Sequence, residues 1–178
     1  MMTTMKTVTV DWQPEQDRFE AHGGHAGRLV HMNAPHAEGG PTGFSASEML
    51  LAGAGGCSAW DVVEILRKQR QRVSAIHVVV SGEQATKPPF PFVRVHVQYT
   101  VSGQQLDEAK VRRAVELSER RYCSVIGTIR GVAEVSCDVH VLEAEAPGPG
   151  AGAADRPMDD EATGALPVEA TVVLRATD

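Results

Sequence analysis

The stretch that decides the fold is residues 44–71, "FSASEMLLAGAGGCSAWDVVEILRKQRQ". Ser45 and Glu48 have the spacing of a capping box, in which the two side chains satisfy backbone N–H groups at a helix start. Apolar and small residues then recur every three or four positions, as on one face of a helix. The basic residues at the end suit the negative end of the helix dipole. The pattern predicts one long helix from Ser45 to about Arg70.

Three glycines occur in this helix shortly before Cys57. In a helix interior they cost roughly 2–3 kcal/mol relative to alanine. Small residues four positions apart, such as Gly53 and Cys57, flatten one side of a helix and let another helix approach closely. We therefore expect a tight helix–helix crossing with Cys57 at its edge. The alternative is a turn that breaks the helix.

Alternating apolar and polar residues predict strands on both sides of this helix. The predicted strands cover residues 6–12, 28–32, 73–85, 91–101 and 133–142. The third and fourth, joined by the turn "KPPFP", are typical of a long antiparallel hairpin with one wet face. A second helix is predicted in "LDEAKVRRAVELSERRYC" and a short helical turn in "SVIGTIRG". Antiparallel strands with helices on one side indicate an α+β fold.

Length and composition predict one domain with an attached tail. The domain covers residues 1–144, and residues 145–178, rich in Ala, Gly, Pro and acids, form a flexible tail. The net charge of −6 argues against nucleic-acid binding, which needs a basic surface. No apolar run approaches the ~20 residues needed to cross a membrane, and the N-terminus lacks a signal-peptide pattern. We expect a cytoplasmic protein without membrane or nucleic-acid partners.

The three cysteines, Cys57, Cys123 and Cys137, are widely spaced and form no CxxC motif. This spacing is typical neither of a disulfide scaffold nor of a zinc site. It leaves two options, inert buried thiols or a pair that meets only in the fold. Asp61 and Glu64 follow Cys57 on its own helix face and oppose its ionisation. A reactive thiolate here therefore needs a cation from elsewhere in the fold, and a small core residue is the other interpretation.

Other chemically suggestive side chains have simpler structural explanations. His22, His25, His31 and His36 are irregularly spaced and have no acidic or cysteine partner nearby in the sequence, which is typical of loop histidines. We therefore predict no metal site and no cofactor. Trp60, one turn after Cys57, either lines an apolar pocket or belongs to the core.

The motifs "SEMLLAGAGGCSAWDVVEIL" and "AVELSERRYCSV", separated by a long hairpin, together resemble the OsmC/Ohr family over residues 5–143. The resemblance implies an OsmC-like fold, in which antiparallel sheets wrap around two central helices in an intertwined homodimer. It also implies a thiol-dependent peroxidase that reduces organic hydroperoxides and is regenerated by a dithiol reductant.

The same resemblance assigns roles to two of the cysteines. Cys57 matches the cysteine that attacks the peroxide and becomes a sulfenic acid. Cys123 matches the cysteine that condenses with it to a disulfide, which prevents irreversible oxidation. Cys137 matches no catalytic position, and its place in an alternating strand predicts a core residue.

The family peroxidases also use an arginine from an N-terminal loop and a glutamate at the helix start. The candidates here are Arg28 and Glu48. Alignment on the GxxxC pattern places Ser47 at the glutamate position, and the capping box explains Glu48 without catalysis. Arg28 begins a predicted strand, where a solvated arginine is the alternative.

Two other functions remain open for this scaffold. One is a non-catalytic protein that binds a small apolar or thiol-reactive ligand at the dimer seam, which the acids near Cys57 favour. The other is a structural protein in which both cysteines are inert.

Overall fold

The computed structural model describes residues 5–23, 28–33 and 43–144. The predicted tail, residues 145–178, lies outside these ranges, so the domain boundary stays a prediction. The strands are β1 (Thr9–Gln13), β2 (Arg18–His22), β3 (Leu29–Met32), β4 (Arg72–Gln84), β5 (Phe92–Gln104) and β6 (Glu134–Glu143). The α-helices are α1 (Ala46–Lys68), α2 (Glu108–Leu117) and α3 (Ser124–Arg130), and a π-helical turn, Ser118–Tyr122, joins α2 to α3.

Strands β1, β2 and β3 form an antiparallel sheet in that order. The sequence pattern did not predict β2, because its alternation extends over only five residues. Trp12 and Phe19 face each other across β1 and β2, with ring centroids 4.9 Å apart. Arg18 and Glu20 form an ion pair of 2.7 Å. Trp12 is 48% exposed and Phe19 42%, so this sheet presents an apolar surface to the outside of the chain.

Strands β4, β5 and β6 form the second sheet, in which β4 and β5 make the predicted antiparallel hairpin. β6 runs parallel to β5, with Cys137 opposite Val97. The prediction of purely antiparallel sheets is therefore wrong for this strand. Parallel neighbours need a long crossover connection. The chain from α2 to α3 supplies that crossover between β5 and β6.

The core lies between this second sheet and the helices, which cover one of its faces. Side chains that alternate along β5 point into the core and are at most 1% exposed: Val95, Val97, Tyr99 and Val101. Burial of each valine contributes roughly 1.5–3 kcal/mol. The opposite face is polar, where His96 Nδ1 lies 2.9 Å from Ser136 Oγ. The predicted wet face is confirmed.

Helix α1 begins as its sequence predicts. The backbone N–H of Glu48 donates to Ser45 Oγ at 3.2 Å, and the backbone N–H of Ser45 donates to Glu48 Oε2 at 2.7 Å. The capping box is thus confirmed, and the helix runs unbroken through the glycines to Lys68.

By length and composition α1 is also apolar enough to cross a membrane, contrary to the expectation that no segment is. Helix α1 packs along β4 and against α2 and α3. Core helices pass the same test, so this property alone is weak evidence for a membrane span.

One glycine of α1, Gly55, serves a contact with a strand, which the sequence did not predict. A Cβ built on Gly55 would lie 3.0 Å from Val80 Cγ2, so this glycine lets α1 approach strand β4. Built Cβ atoms on Gly53 and Gly56 meet no described atom within 4 Å. The close approach found within the described chain is helix to strand, and the predicted helix–helix crossing at the glycines is not found there.

Candidate functional site

The fold brings Cys57 and Cys123 together. Their Sγ atoms and a carboxylate oxygen of Asp61 all lie within 4.8 Å of one another. Cys57 and Asp61 are one turn apart on α1, and Cys123 lies between the π-helical turn and α3. Cys57 is half-buried and Cys123 is only 4% exposed. The predicted pair of cysteines therefore meets in one chain, with a carboxylate beside both sulfurs.

The π-helical turn positions Cys123. A π turn holds one more residue than an α turn, and such insertions occur often at functional sites. The backbone N–H of Cys123 donates to the carbonyl of Ser118 at 2.8 Å. Cys123 then caps α3, because its Sγ accepts the N–H of Ile126 at 3.4 Å. Tyr122, the last residue of this turn, is 53% exposed, whereas the helical spacing it shares with the buried Val111, Val115 and Ser118 would place it on their face of the helix.

Burial raises the pKa of the Cys123 thiol to about 11 and outweighs the hydrogen bond from the Ile126 N–H, which lowers it. The neighbouring Cys57 raises the pKa further. Cys123 is therefore a protonated thiol at neutral pH. Because the half-buried Cys57 is the more accessible sulfur, Cys57 suits attack on an incoming molecule and Cys123 suits a later step.

Asp61 is held in place by a hydroxyl group. Ser118 Oγ donates to Asp61 Oδ2 at 3.2 Å and also lies 3.1 Å from the carbonyl oxygen of Ser58. Among residues 5–23, 28–33 and 43–144, Asp61 has no lysine, arginine or histidine partner. The site therefore carries negative charge that no described side chain balances.

A groove of about 410 Å³ runs between α1 and β4. Its walls are mainly apolar and include Leu51, Gly55, Gly56, Ile76 and Val78. Glu48 also lines this groove, and Cys57, nine residues further along α1, points to the opposite side of the helix, so the groove and the cysteine cluster lie on different faces of α1. Trp60 does not line this groove and is 66% exposed, so the single chain does not place it in the core, and its place in the wall of a pocket stays a prediction.

Known proteins share this sequence and fold. A family model described as OsmC-like protein matches residues 38–138. Protein YhfA of Escherichia coli K12 is 39% identical over 100 residues, which are 56% of this chain and 75% of YhfA. The chain belongs to the OsmC family.

Solved structures extend the likeness beyond the matched segment. One solved structure, from structural genomics, is 32% identical to this chain with a TM-score of 0.68. The alignment covers 78% of this chain and 99% of the solved chain. The organic hydroperoxide resistance protein OhrB of Bacillus subtilis is 18% identical, with a TM-score of 0.55, and covers 76% of this chain and 98% of its own. At that identity OhrB supports the OsmC fold alone.

Arg28 and Glu48 are the other two residues that the family pattern suggested. Among the described residues, no hydrogen bond or ion pair joins either of them to the cysteine cluster. Glu48 is nine residues before Cys57 on α1, about 13 Å along the helix axis. Hydrogen bonds from the Ser45 backbone and side chain lower the pKa of Glu48, as expected for a capping residue. Arg28 is exposed just before β3 and forms no ion pair with any described residue. Their catalytic roles stay predictions.

Cys137, predicted as a core residue, is exposed. It opens into a groove of about 680 Å³ between α2 and β6, because β6 pairs with β5 on one side only and α2 leaves a gap above it. Burial of the sulfur and the adjacent Glu119 carboxylate raise the pKa of the Cys137 thiol to about 12, although the residue as a whole is exposed.

Glu119 is a buried carboxylate that sequence reasoning missed. It is 5% exposed, and its Oε1 accepts the Tyr99 hydroxyl at 3.2 Å. Arg130 donates to its backbone carbonyl at 2.8 Å and lies 3.6 Å from its Oε2. In the charged segment "SERRYC" a glutamate is expected on the surface. The π-helical turn rotates Glu119 inward, and no sequence signal predicts such a turn.

Two of the four histidines lie in strands, not in loops as predicted. His22 is 3.9 Å from Asp11, and His31 is 3.5 Å from Glu20. Pairing of the strands supplies acidic neighbours that are distant in sequence. His25 and His36 lie outside the described residues.

Proposed function

We propose that this OsmC family protein is a peroxidase that reduces organic hydroperoxides with Cys57 and Cys123. The observation that carries the proposal is the meeting of the two sulfurs within 4.8 Å, although 66 positions separate them in sequence. The structural relative OhrB is named an organic hydroperoxide resistance protein, and we propose the same class of substrate for this chain.

In the proposed reaction the Cys57 thiolate attacks the terminal oxygen of the hydroperoxide. The O–O bond breaks, the alkoxide takes a proton and leaves as an alcohol, and Cys57 becomes a sulfenic acid. The Cys123 sulfur then attacks the Cys57 sulfur, and its proton leaves with the hydroxyl group as water. The resulting disulfide has an S–S bond of about 2.05 Å, so the sulfurs move together by at most about 2.8 Å.

A dithiol completes the cycle by thiol–disulfide exchange and leaves as its own disulfide. Thiols stay reduced in the cytoplasm, which is the location we propose. Arg28 is the proposed cation that keeps Cys57 ionised, since its guanidinium forms no ion pair within the described ranges. Glu48 is the remaining residue of the proposed set, as the group that would hold this arginine.

We also propose that the protein acts as a homodimer. Two exposed surfaces of the single chain suit a second copy. One is the apolar face of the N-terminal sheet around Trp12 and Phe19, and the other is the α1 face with Gly53, Gly56 and Trp60. Light scattering coupled to gel filtration should give twice the chain mass, and a monomer at all concentrations contradicts this part of the proposal.

The direct test treats fully reduced protein with one equivalent of cumene hydroperoxide. We expect the loss of two thiols per chain, formation of cumyl alcohol, and a Cys57–Cys123 disulfide in the peptide map. Cys137→Ser should behave like the wild type and serves as the matched control. Unchanged thiol content, or equal turnover in Cys57→Ser, would falsify the peroxidase.

A second candidate is a non-catalytic protein that binds a small apolar or thiol-reactive ligand at the dimer seam. The observation that favours it is Asp61, a carboxylate beside Cys57 without a described cationic partner. Labelling of Cys57 by iodoacetamide as a function of pH separates the two functions. Half-maximal labelling well below pH 7 supports the peroxidase, and a midpoint at about 8.5 or above supports the binding protein.

A further inference from the structure

We infer that the reduced protein binds a divalent transition metal, represented here by Zn²⁺, through Cys57, Asp61 and Cys123. Two sulfurs and one carboxylate oxygen converge within 4.8 Å, and these are ligand types that Zn²⁺ takes in proteins. The sequence predicted no metal site, because Cys57 and Cys123 come from distant segments without a metal-binding spacing.

The distances suit a tetrahedral ion with little movement. With Zn–S bonds of about 2.3 Å and Zn–O bonds of about 2.0 Å, neighbouring ligand atoms lie about 3.5–3.8 Å apart. The three atoms therefore need to approach one another by no more than about 1.3 Å. Three protein ligands leave the fourth position for water, as in open zinc sites. Cys57 and Asp61 are both half-buried, so an ion can reach them.

Charge favours a cation at this point. Asp61 has no cationic partner in the described part of the chain, and both sulfurs gain negative charge when they lose their protons. A divalent ion replaces the two thiol protons, which pass to water, and balances two thiolates and a carboxylate together.

The surroundings also orient the ligands. Ser118 donates a hydrogen bond to Asp61 Oδ2, the kind of outer contact that fixes a metal-binding carboxylate. The N–H of Ile126 donates to Cys123 Sγ and holds that sulfur in position. Both contacts are present in the chain before any ion binds.

Metal binding and peroxide reduction need the same two sulfurs. Bound Zn²⁺ therefore withholds both thiols from hydroperoxides, and a disulfide removes the site. The first of these consequences rests on the proposed peroxidase, whereas the metal site itself does not.

The experiment titrates reduced protein, kept reduced with a phosphine, with Co²⁺ as the spectroscopic probe and then displaces it with Zn²⁺. We expect one ion per chain, with a sulfur-to-cobalt charge-transfer band and the intense visible bands of tetrahedral Co²⁺. Wild-type protein oxidised to the Cys57–Cys123 disulfide should lose the sulfur band, which tests the site without a substitution. Bound Co²⁺ that lacks the sulfur band overturns the inference.

Variants assign the ligands in a Zn²⁺ competition assay with a chromophoric chelator. Cys57→Ser and Asp61→Asn should each weaken binding by about tenfold or more, since even outer contacts contribute 10–100-fold. Glu64→Gln is the matched control for Asp61→Asn, because Glu64 lies on the same helix and pairs with Arg67 at 2.9 Å. Equal affinity in Cys57→Ser, or equal losses in Glu64→Gln and Asp61→Asn, contradicts the assignment.

The two proposals fail separately. Metal-free protein that forms the disulfide with hydroperoxide but gives no sulfur–cobalt band retains the peroxidase and loses the metal site. Protein that binds Zn²⁺ through both sulfurs but ignores hydroperoxide retains the metal site and loses the peroxidase.

Discussion

Two places in this molecule set a thiol beside a carboxylate, and they differ in what else is present. At Cys57 the carboxylate is Asp61, which lacks a described cation, and the second thiol of Cys123 lies within 4.8 Å. At Cys137 the carboxylate is Glu119, which already accepts a hydrogen bond from the Tyr99 hydroxyl and forms an ion pair with Arg130.

The contrast shows that the partners of a cysteine, more than its exposure, decide which chemistry it can support. Cys137 is the most exposed of the three cysteines, yet no second thiol accompanies it in its groove. Cys57 is less exposed but has a thiol partner. The proposed redox chemistry and metal binding therefore both concern the Cys57 site, whereas the carboxylate near Cys137 supports the structure through its contacts with Tyr99 and Arg130.

The largest expected difference between the two sites is in peroxide turnover. Cys57→Ser should lower dithiol-dependent reduction of cumene hydroperoxide by about 10³-fold or more, because the nucleophile is lost. Cys137→Ser should change turnover by less than about twofold, since a group outside the reaction adds nothing to transition-state stabilisation. A steady-state assay of both variants checks this, and a large loss in Cys137→Ser would erase the distinction.

The rate at which each cysteine is alkylated should depend on pH in a way that reflects its pKa. A pKa raised from 9.0 to about 11 leaves Cys123 as a thiol at pH 8, so iodoacetamide should label it about a hundredfold more slowly than an unperturbed cysteine. Labelling should accelerate tenfold per pH unit until about pH 11 for Cys123 and about pH 12 for Cys137. Mass spectrometry of timed samples measures each site, and a midpoint for Cys123 near pH 9 refutes the expectation.

For stability we expect the reverse of the order found for activity: loss of the carboxylate near Cys137 should lower the free energy of unfolding more than loss of the carboxylate near Cys57. Glu119→Ala removes the acceptor of the buried Tyr99 hydroxyl and the partner of Arg130, which should cost about 2–4 kcal/mol of unfolding free energy. Asp61→Asn should cost less than about 1 kcal/mol, because Ser118 retains the Ser58 carbonyl as an acceptor. Urea unfolding at one protein concentration measures both. Equal losses would mean that Asp61 is as structural as Glu119.

The smallest effect concerns the hydroxyl that holds Asp61. Ser118→Ala should cost about 1 kcal/mol of unfolding free energy, the usual contribution of a hydrogen bond. In the metal assay it should weaken Zn²⁺ binding by about tenfold, as the loss of an outer contact does. Ser74→Ala, which removes an exposed hydroxyl that donates to a β5 carbonyl, is the control and should leave metal affinity unchanged.

Most elements of the fold were predictable where local rules decide them. The capping box placed the start of α1, and alternation placed the β4–β5 hairpin and its buried valines. Strand β2 was missed because five alternating residues carry too little signal. The direction of β6 was missed because its pattern is the same whether its neighbour runs parallel or antiparallel.

The site was predictable only in part. The family resemblance named Cys57 and Cys123, and the structure brings those two sulfurs together. The buried position of Glu119 and the exposed position of Tyr122 both follow from the π-helical turn, for which helical periodicity gives no signal.

The sequence by itself determined the local elements, because capping, alternation and helical periodicity act between residues close along the chain. Only the tertiary structure decided that Cys57 meets Cys123 and Asp61, that Cys137 faces a groove, and that Gly55 packs on Val80. Those contacts join segments far apart in the chain, so they exist only once packing of the helices on the sheet has set their positions.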